Sequence, residues 1–509
     1  MTMAQPVHLP HTLPPSRAVH ARARAGRVRR VRFAWCAAIV AALALGAGVH
    51  GAGANTTTTT TGAKAAAWDP QLEPIARAVE RIRGLTFDHP VAVQYLDDAA
   101  FDKRLAVDEG DLTDKERADI KRSEAQLRAI GLVGPDVDLL AATSDLEQAG
   151  VLAYYSPKTQ KVTVRGTQLD VAHKVTLAHE LTHALQDQHF DLNKLDREAQ
   201  KAHADVAESA LVEGDAVHVE RAYLDSLPQR DQAAYSATQN ADTQEFQDKV
   251  DAADVPAALE ALFESPYALG PDMVRFVEAV GGDKALNDLF AKPPRSELAF
   301  LDPSTVVDHV DPLRVVAPKL DSGEVRVGPR DTFGAFALYL MLSTTMDPAA
   351  AFHATQGWGG DAMVTFSRGD QTCVRTTFTG RDAETSTALL AAVRQWSSNG
   401  AHPSSTVTDR GQSTTLTACD ERGASVDPGD APTRALVTAA LRSTVLAEVT
   451  EVSSPKVGVC AADGALRSPA FTAVRNAAVA SPSAEPAPDV LDRFQRSLGG
   501  IVTDCRNSV

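Results

Sequence analysis

The sequence predicts an α+β protein that is mainly helical, with a small antiparallel sheet in its first half and a disulfide-containing α+β region after it. Three observations lead to this prediction. Helical periodicity fills most of residues 70–291, a single strand–turn–strand pattern interrupts it at 150–165, and strand-like runs alternate with helical ones beyond Pro312.

The first half consists of helical stretches around one hairpin. Gly150–Tyr155 and Lys161–Arg165 are rich in β-branched and aromatic residues, and the Ser-Pro-Lys-Thr-Gln between them favours a turn. Asp170 is suited to cap the helix that follows. The predicted helices cover about 70–83, 111–130, 136–148, 171–188, 197–225, 255–265 and 271–291, with a short strand at 91–95.

A proline-punctuated stretch separates this half from the rest of the chain. Pro293-Pro294 and the segment Asp302–Pro312 are typical of a domain boundary. Beyond them the pattern predicts helices near 332–345, 383–397 and 431–449 and strands near 363–368, 372–379 and 413–419. The predicted organisation is a leader over 1–54, a low-complexity linker over 55–68, a first domain over 69–305 and an α+β region over 306–509.

The first 54 residues have the features of an export signal. They contain seven arginines and no acidic residue, and the apolar run Phe33–Val49 is followed by Ala52-Gly53-Ala54, which suits cleavage. A run of this length is also at the lower limit for a membrane span, so an uncleaved N-terminal anchor is the alternative. The sequence therefore predicts a secreted or cell-surface protein, with membrane contact only through this segment if it is retained.

The remainder of the chain is strongly acidic. The whole chain has a formal net charge of -16, and removal of the seven arginines of the leader leaves -23. Such a surface repels nucleic acid, and no basic patch occurs outside the leader. The sequence therefore predicts no nucleic-acid partner.

Cysteine usage agrees with export. Outside the leader there are four cysteines, an even number, and none has the close spacing of a metal site. We predict that Cys373 pairs with Cys419, because both lie in strand-like runs of one small region, and that Cys460 pairs with Cys505. The sequence alone also permits the other two pairings.

The chemistry is concentrated in one predicted helix, which contains His179-Glu180-Leu-Thr-His183. Two histidines four residues apart lie on the same face of a helix, so both imidazoles can reach one metal ion. Glu180 then projects beside the metal, where it can take a proton from a metal-bound water. The pattern predicts a Zn²⁺ cofactor with His179 and His183 as ligands and Glu180 as the catalytic general base.

A zinc ion of this kind needs a third protein ligand. Glu213 on the next long helix is the predicted ligand, and Gly214 beside it would let the two helices approach closely. His189 is an alternative, although Gln186 stands where a glycine would let the chain turn back towards the metal. Glu208 is the other alternative, and it points about 140° away from Glu213 around the helix.

The chain resembles the gluzincins, zinc peptidases of the MA type, and in particular secreted bacterial proteins that combine HELxHALQDQ with a downstream EGDA. Here these motifs are His179–Gln188 and Glu213–Ala216. The resemblance implies a zincin-like catalytic domain and zinc-dependent hydrolysis of peptide bonds outside the cytosol, with a protein or peptide as substrate. It also implies that a strand before the metal helix pairs with extended substrate, and the predicted hairpin lies in that place.

One position departs from the gluzincin pattern. Thermolysin-like enzymes have an aspartate four residues after the glutamate ligand, where it supports a histidine ligand, and this chain has Val217 there. Asp187 or Asp215 could supply the support instead. Tyr267 is the residue that we predict to stabilise the oxyanion.

Two other functions compete with a peptidase. One is a catalytically inactive zincin-fold protein that binds or scaffolds components of the cell envelope, although the intact Glu180 argues against it. The other is a zinc amidohydrolase that acts on cell-wall peptides. Assays with peptide libraries and with purified cell wall would separate the three.

Overall fold

The fold was analysed in a computed structural model, which describes residues 67–105, 112–148, 151–167, 169–239, 254–308, 310–399, 404–420, 428–481 and 486–509. Within these residues the protein is α+β and mainly helical, as predicted. The predicted leader and all but the last two residues of the predicted linker lie outside them.

Helices and strands alternate in groups along the described residues. The helices are α1 (Glu73–Arg83), α2 (Asp98–Leu105), α3 (Asp114–Ala129), α4 (Leu139–Gln148), α5 (Val171–Phe190), α6 (Leu192–Ala202), α7 (Asp205–Ser226), α8 (Ala257–Ala291), α9 (Leu298–Leu301), α10 (Ser304–Val307), α11 (Ala335–Ser343), α12 (Pro348–Gln356), α13 (Ala383–Ser398), α14 (Ala431–Glu451), α15 (Pro455–Leu466), α16 (Pro469–Ala480) and α17 (Pro488–Ser508). The strands are β1 (Ala92–Leu96), β2 (Ala153–Ser156), β3 (Lys161–Arg165), β4 (Val325–Asp331), β5 (Trp358–Arg368), β6 (Gln371–Gly380), β7 (Thr406–Asp409) and β8 (Ser413–Cys419). Residues 229–239 are also helical.

The first sheet has three strands in the order β1–β3–β2. β2 and β3 form the predicted antiparallel hairpin, with Tyr154 opposite Thr163. β1 adds to β3 in the parallel direction, so the sheet is mixed rather than wholly antiparallel. This pairing was not predicted, because the helices α2, α3 and α4 separate β1 from the hairpin in sequence. As a result β2 lies at an edge of the sheet.

The helix α5 packs against this sheet and carries the HExxH sequence. Asp170 caps it as predicted, accepting a hydrogen bond of 2.9 Å from the N–H of His173. Every residue from 175 to 187 is buried, and the apolar ones form a core with α1 and the three strands. Each fully buried Val or Leu contributes about 1.5–3 kcal/mol to such a core. The polar groups of α5 are therefore held in a helix whose position apolar packing determines.

The helix α7 lies between α5 and α8. Its closest approach is to α8, where a Cβ on Gly214 would lie 2.3 Å from the carbonyl carbon of Gly270. The sequence predicts that Gly214 lies at a close contact with the helix that carries His179 and His183. That prediction was wrong about the partner, because the three atoms nearest to the added Cβ all belong to Gly270. A glycine on each helix brings the two backbones into contact.

A single helix over 197–225 was predicted, but the structure has two helices there. α6 ends at His203, which adopts a left-handed conformation with φ of 54°, and α7 begins at Asp205. His203 pairs with Asp331 at 3.3 Å, so a contact distant in sequence stabilises the break. Helical periodicity carries no information about such a contact.

The break within α8 was predicted at the wrong place, because helices over 255–265 and 271–291 were predicted and the chain stays helical between them. The helix continues through Pro266 and Pro271 and is interrupted at Gly282, with φ of 65° and ψ of -167°. Pro266 has no N–H to donate to the carbonyl of Leu262, and the hydroxyl of Ser265 donates to that carbonyl at 2.9 Å instead. A neighbouring side chain therefore compensates for the hydrogen bond that the proline removes.

The second sheet is antiparallel, with five strands in the order β4–β5–β6–β8–β7. One face packs against α3 and α13. The other carries Val364 and Phe366 and is covered by an extended segment through Ala317 and Leu320. A continuous hydrophobic core joins α7 and α8 to α14, and it crosses the predicted boundary at residues 305 and 306.

Both predicted disulfides are confirmed. Cys373 and Cys419 lie directly opposite each other on β6 and β8, and Cys460 joins α15 to Cys505 on α17. Two disulfides suggest an extracellular or otherwise oxidising environment. Among the described residues, the structure contains no helix with the length and apolar composition needed to cross a bilayer.

Candidate metal centre

The structure brings His179, His183 and Glu213 together. The Nε2 atoms of the two histidines are 3.0 Å apart, and Glu213 Oε2 lies 3.2 Å from Nε2 of His179 and 3.3 Å from Nε2 of His183. Across the described ranges, these three form the one group of three or more His, Cys, Asp or Glu side chains that could hold a metal ion. The predicted third ligand is thus the one that lies beside the two histidines.

Two helices supply these side chains. His179 and His183 are one turn apart on α5, with their ring centroids 4.7 Å apart and the rings nearly perpendicular. Glu213 comes from the middle of α7, one residue before the glycine that contacts α8. The packing of α7 between α5 and α8 therefore determines where the Glu213 carboxylate lies.

A carboxylate on α7 determines the tautomer of His179. Glu220 Oε2 lies 3.1 Å from Nδ1 of His179, and the hydroxyl of Tyr235 donates to Glu220 Oε1 at 3.2 Å. A carboxylate accepts hydrogen bonds, so we assign the proton of the neutral imidazole to Nδ1. The lone pair of Nε2 then points towards Glu213.

The amide of Gln186 has the same effect on His183. Its Oε1 lies 3.0 Å from Nδ1 of His183, while its Nε2 donates to the carbonyl of Val212 at 3.0 Å and to Asp215 Oδ2 at 2.9 Å. Because the amide nitrogen faces two acceptors, the amide oxygen must face the ring. His183 therefore also carries its proton on Nδ1 and presents a bare Nε2.

Three acceptor atoms consequently face one another in the interior. For ligands at about 2.05 Å in tetrahedral geometry, as zinc prefers, the separation of ligand atoms is about 3.3 Å. The observed separations of 3.0–3.3 Å are close to this value. Two neutral imidazoles and one carboxylate are a donor set that suits zinc, so the residues fit a zinc ion.

The cluster is deeply buried. His179 is 0% exposed, His183 2% and Glu213 5%. Buried polar atoms are normally paired with donors or with a cation, because loss of hydration is costly. A cation among these acceptors would compensate for that cost.

Glu180 lies between the cluster and the edge of the first sheet. Its Oε2 accepts the N–H of Tyr155 at 2.6 Å. The carbonyl of Leu152 accepts the N–H of Arg165 on β3. Residues of an antiparallel pair bond to the partner strand alternately, so the N–H and C=O groups of Ala153 and Tyr155 point away from β3. The predicted general base is therefore bound to the backbone of β2, on the side of the strand that faces away from β3.

The alternative third ligands lie elsewhere. α5 continues unbroken through Gln186 to Phe190, and His189 Nε2 lies 2.8 Å from the carbonyl of Thr86. Glu208 is buried on α7 and is not part of the cluster. Tyr267, the predicted oxyanion donor, is partly buried on α8 three residues before Gly270.

The two acids suggested as supports have different partners. Asp187 accepts the hydroxyl of Tyr155 at 2.8 Å and the N–H of Leu192 at 3.0 Å. Burial and the Asp187 carboxylate raise the pKa of Tyr155 well above its usual value. Asp215 contacts Gln186 and, through it, acts on His183. Asp215 therefore supports a histidine, but indirectly.

Glu220 and the role of Gln186 were not predicted from the sequence. Glu220 lies seven residues after Glu213, so both are on one face of α7, two turns apart. This spacing could have identified it as a support for His179. The part played by Gln186 depends on acceptors from α7, and spacing within α5 does not reveal them.

Residues 324–441 match the model of a family described as a domain of unknown function (DUF8575). The match covers 118 of the 509 residues and extends from β4 into α14, so it contains the five-stranded sheet and no residue of the candidate metal centre. The comparisons with curated proteins and with solved structures gave no match.

Proposed function

We propose that this chain is a zinc-dependent peptidase with a zincin-like catalytic domain, which hydrolyses peptide bonds outside the cytosol. The observation that carries the proposal is the convergence of three acceptor atoms from His179, His183 and Glu213 at separations suited to zinc. The gluzincin-like order of these residues and the disulfides support it. The substrate class is a protein or peptide.

Glu180 is the residue that moves the proton in this proposal. When bound, zinc would acidify a water molecule and polarise the scissile carbonyl. Glu180 accepts a proton as the water oxygen attacks the carbonyl carbon, and it delivers the proton to the amide nitrogen as the C–N bond breaks. The products are a carboxylate and an amine. The N–H of Tyr155 orients the Glu180 carboxylate beside the histidines.

The edge strand β2 is the part of the sheet with which a peptide substrate would pair. Its four residues are buried, so an extended peptide could add to the outward N–H and C=O groups of Ala153 only after this edge opens. Because Glu180 is bonded to the same edge at Tyr155, such a peptide would lie next to the general base.

The depth of burial favours a second candidate. Metal ligands as deeply buried as these three side chains, which are 0–5% exposed, occur in closed structural metal sites as well as in catalytic ones. In that case the metal would hold α5 and α7 together in a binding or scaffold protein of the cell envelope. A zinc amidohydrolase of cell-wall peptides would use the same residues and differ in substrate.

The test combines metal analysis with turnover. Mass spectrometry of the purified chain should find about one zinc per molecule, and a peptide library should be cleaved. Glu180→Gln should keep zinc and lose a factor on the order of 10³ or more in rate, whereas the exposed Glu198→Gln should behave as wild type.

The outcomes separate the candidates. Cleavage of purified cell wall but not of peptides would indicate the amidohydrolase. Stoichiometric zinc without turnover on either substrate would indicate the scaffold. Protein that binds no zinc would exclude all three, and undiminished cleavage by Glu180→Gln would exclude the mechanism.

A further inference from the structure

A chain of buried hydrogen bonds leads away from the metal centre on the side of His183. Gln186, which faces the ring of His183, donates to Asp215 at 2.9 Å. Asp215 in turn pairs with Arg83, whose Nε lies 2.8 Å from Oδ1 and 3.0 Å from Oδ2. The chain therefore joins α5 to α7 and then to the end of α1.

The members of this chain are fixed in place. Gln186, Asp215 and Arg83 are 1%, 0% and 3% exposed. Arg83 also donates to Oδ1 of Asn287 on α8 at 2.8 Å. Buried side chains with several partners have few other conformations available, so the direction of each hydrogen bond is well defined.

The carbonyl of Val212 determines the direction of the chain. A backbone carbonyl only accepts, so Gln186 must present its amide nitrogen to Val212 and Asp215 and its oxygen to His183. If the amide were flipped, its oxygen would face the Asp215 carboxylate and the carbonyl of Val212. Three acceptor oxygens would then meet without a donor between them. Arg83 holds the Asp215 carboxylate in place through its Nε, and so fixes the acceptor that the amide of Gln186 meets.

The geometry points to Gln186, Asp215 and Arg83 as positioning residues that set the tautomer and orientation of His183 for zinc. This inference rests on the proposed zinc site. It connects zinc affinity to Arg83, at the end of α1, although Arg83 has no direct contact with a ligand among its hydrogen bonds and ion pairs in the described residues.

The test compares two glutamines on the same helix. Gln186→Met removes the acceptor that faces His183 and keeps a side chain of similar length. Gln188→Met is the matched control, because Gln188 bonds to the backbone at 88 and 89, away from the metal. Zinc affinity, measured by competition with a chromophoric chelator, should fall about 10- to 100-fold in Gln186→Met and stay unchanged in Gln188→Met.

A second pair of variants covers the case in which Gln186→Met does not fold. Arg83→Met should weaken zinc binding about 10-fold, and Arg83→Lys should restore most of it by returning a positive charge to Asp215. The visible spectrum of the Co²⁺-loaded protein reports ligand geometry, and we expect it to change in Gln186→Met and Arg83→Met only.

Different experimental results would contradict this inference and the proposed function. If the wild type binds zinc and all four variants bind it equally, with one Co²⁺ spectrum, the residues have only a packing role and the inference is wrong. If the wild type binds neither Zn²⁺ nor Co²⁺, the proposed function itself fails.

Discussion

Two polar clusters in this molecule, one buried and one partly exposed, have opposite electrostatic balance. In the candidate metal centre, acceptors from His179, His183 and Glu213 face one another. In the arginine cluster, which we define as Arg375, Arg368, Glu324 and Asp321, donors face acceptors. The first cluster joins two helices, and the second covers one face of the five-stranded sheet.

The arginine cluster is complete without a ligand. Arg375 donates to Thr417, to the carbonyl of Lys319, to Asp321 and to both carboxylate oxygens of Glu324, at 2.8–3.1 Å. Burial alone would raise the pKa of Glu324, but the hydrogen bonds from Arg375, from the N–H of Asp321 and from Arg368 lower it to about 2. Such a network stabilises the ionised form of each member.

The comparison separates a structural role from a binding role. Charges that balance one another need no partner from solution, whereas an excess of converging acceptors needs a cation or a proton. Different parts of the fold also hold the two clusters in place. Sheet register places Arg375 opposite Thr417, while the contact of Gly214 with Gly270 places Glu213.

The largest effect that we expect comes from removing the carboxylate of the metal centre. Glu213→Ala deletes one of three ligands, so zinc affinity should fall by more than the roughly 100-fold typical of a lost supporting residue. His189→Ala should leave zinc affinity unchanged, because His189 bonds to the carbonyl of Thr86 at the end of α5. Isothermal titration with zinc measures both.

The same titration can contradict the comparison. If Glu213→Ala keeps zinc and His189→Ala loses it, the ligand set is wrong and the chain is nearer to the metzincins. Glu324→Gln, in the arginine cluster, serves as the control. It should leave zinc affinity at the wild-type value, because its partners do not include a residue of the metal centre.

A smaller effect is expected from the helix crossing that positions Glu213. In Gly270→Ala the new Cβ would meet the carbonyl oxygen of Ala210 at 2.3 Å, so α7 and α8 must separate. We expect a loss of about 2 kcal/mol in the free energy of unfolding together with weaker zinc binding. Gly500→Ala is the matched control, since its Cβ would meet nothing within 4 Å.

The two substitutions are expected to change the free energy of unfolding in opposite directions, which distinguishes the effect of backbone packing from that of helix propensity. Alanine is the better helix former, so Gly500→Ala should stabilise the protein by up to about 1 kcal/mol. Chemical denaturation of both variants measures this difference. Equal stabilisation by Gly270→Ala would show that the two backbones are not in contact at this crossing.

The sequence was most informative where one helix contains the signal. The spacing of His179 and His183, the cap at Asp170 and the hairpin before them follow from local periodicity and turn chemistry. The choice of Glu213 required a second helix, and the excess of acceptors became visible only when hydrogen-bond directions were known. Spacing cannot reveal that Gln186 points its oxygen at a ring.

The errors in the fold have the same cause. Pro266 was treated as the end of a helix, but Ser265 supplies the missing hydrogen bond. The helix over 197–225 was predicted to be continuous, but His203 breaks it through a contact with Asp331. β1 pairs with β3 across three intervening helices. Each case depends on a contact that local patterns do not encode.

A third cluster shows how converging carboxylates are accommodated with a proton. Glu297 and Asp361 lie near the start of α11, where Asp361 accepts the N–H groups of Phe333 and Gly334. Burial and the nearby Asp361 carboxylate raise the pKa of Glu297 to about 8. Burial also raises the pKa of Asp361 to about 6, against the lowering effect of these hydrogen bonds.

This cluster predicts a pH-dependent effect that distinguishes it from the arginine cluster. Between the ordinary pKa of 4.5 and the raised value of about 8, folded Glu297 holds a proton that the unfolded chain has released. Its contribution to stability is thus fully present below pH 4.5 and is lost as pH rises through 8. We expect the free energy of unfolding, measured in urea, to fall by about 4 kcal/mol between pH 5 and pH 8.5, at about 1.4 kcal/mol per pH unit over most of the interval. Glu297→Gln should flatten this dependence of the free energy of unfolding on pH, because glutamine stays neutral.

Glu324→Gln should lower stability across the whole range without changing the slope, since Glu324, with a pKa of about 2, is ionised throughout. An unchanged slope in Glu297→Gln would mean that Glu297 is ionised in the folded protein, with the N–H of Phe336 among the groups that stabilise its charge.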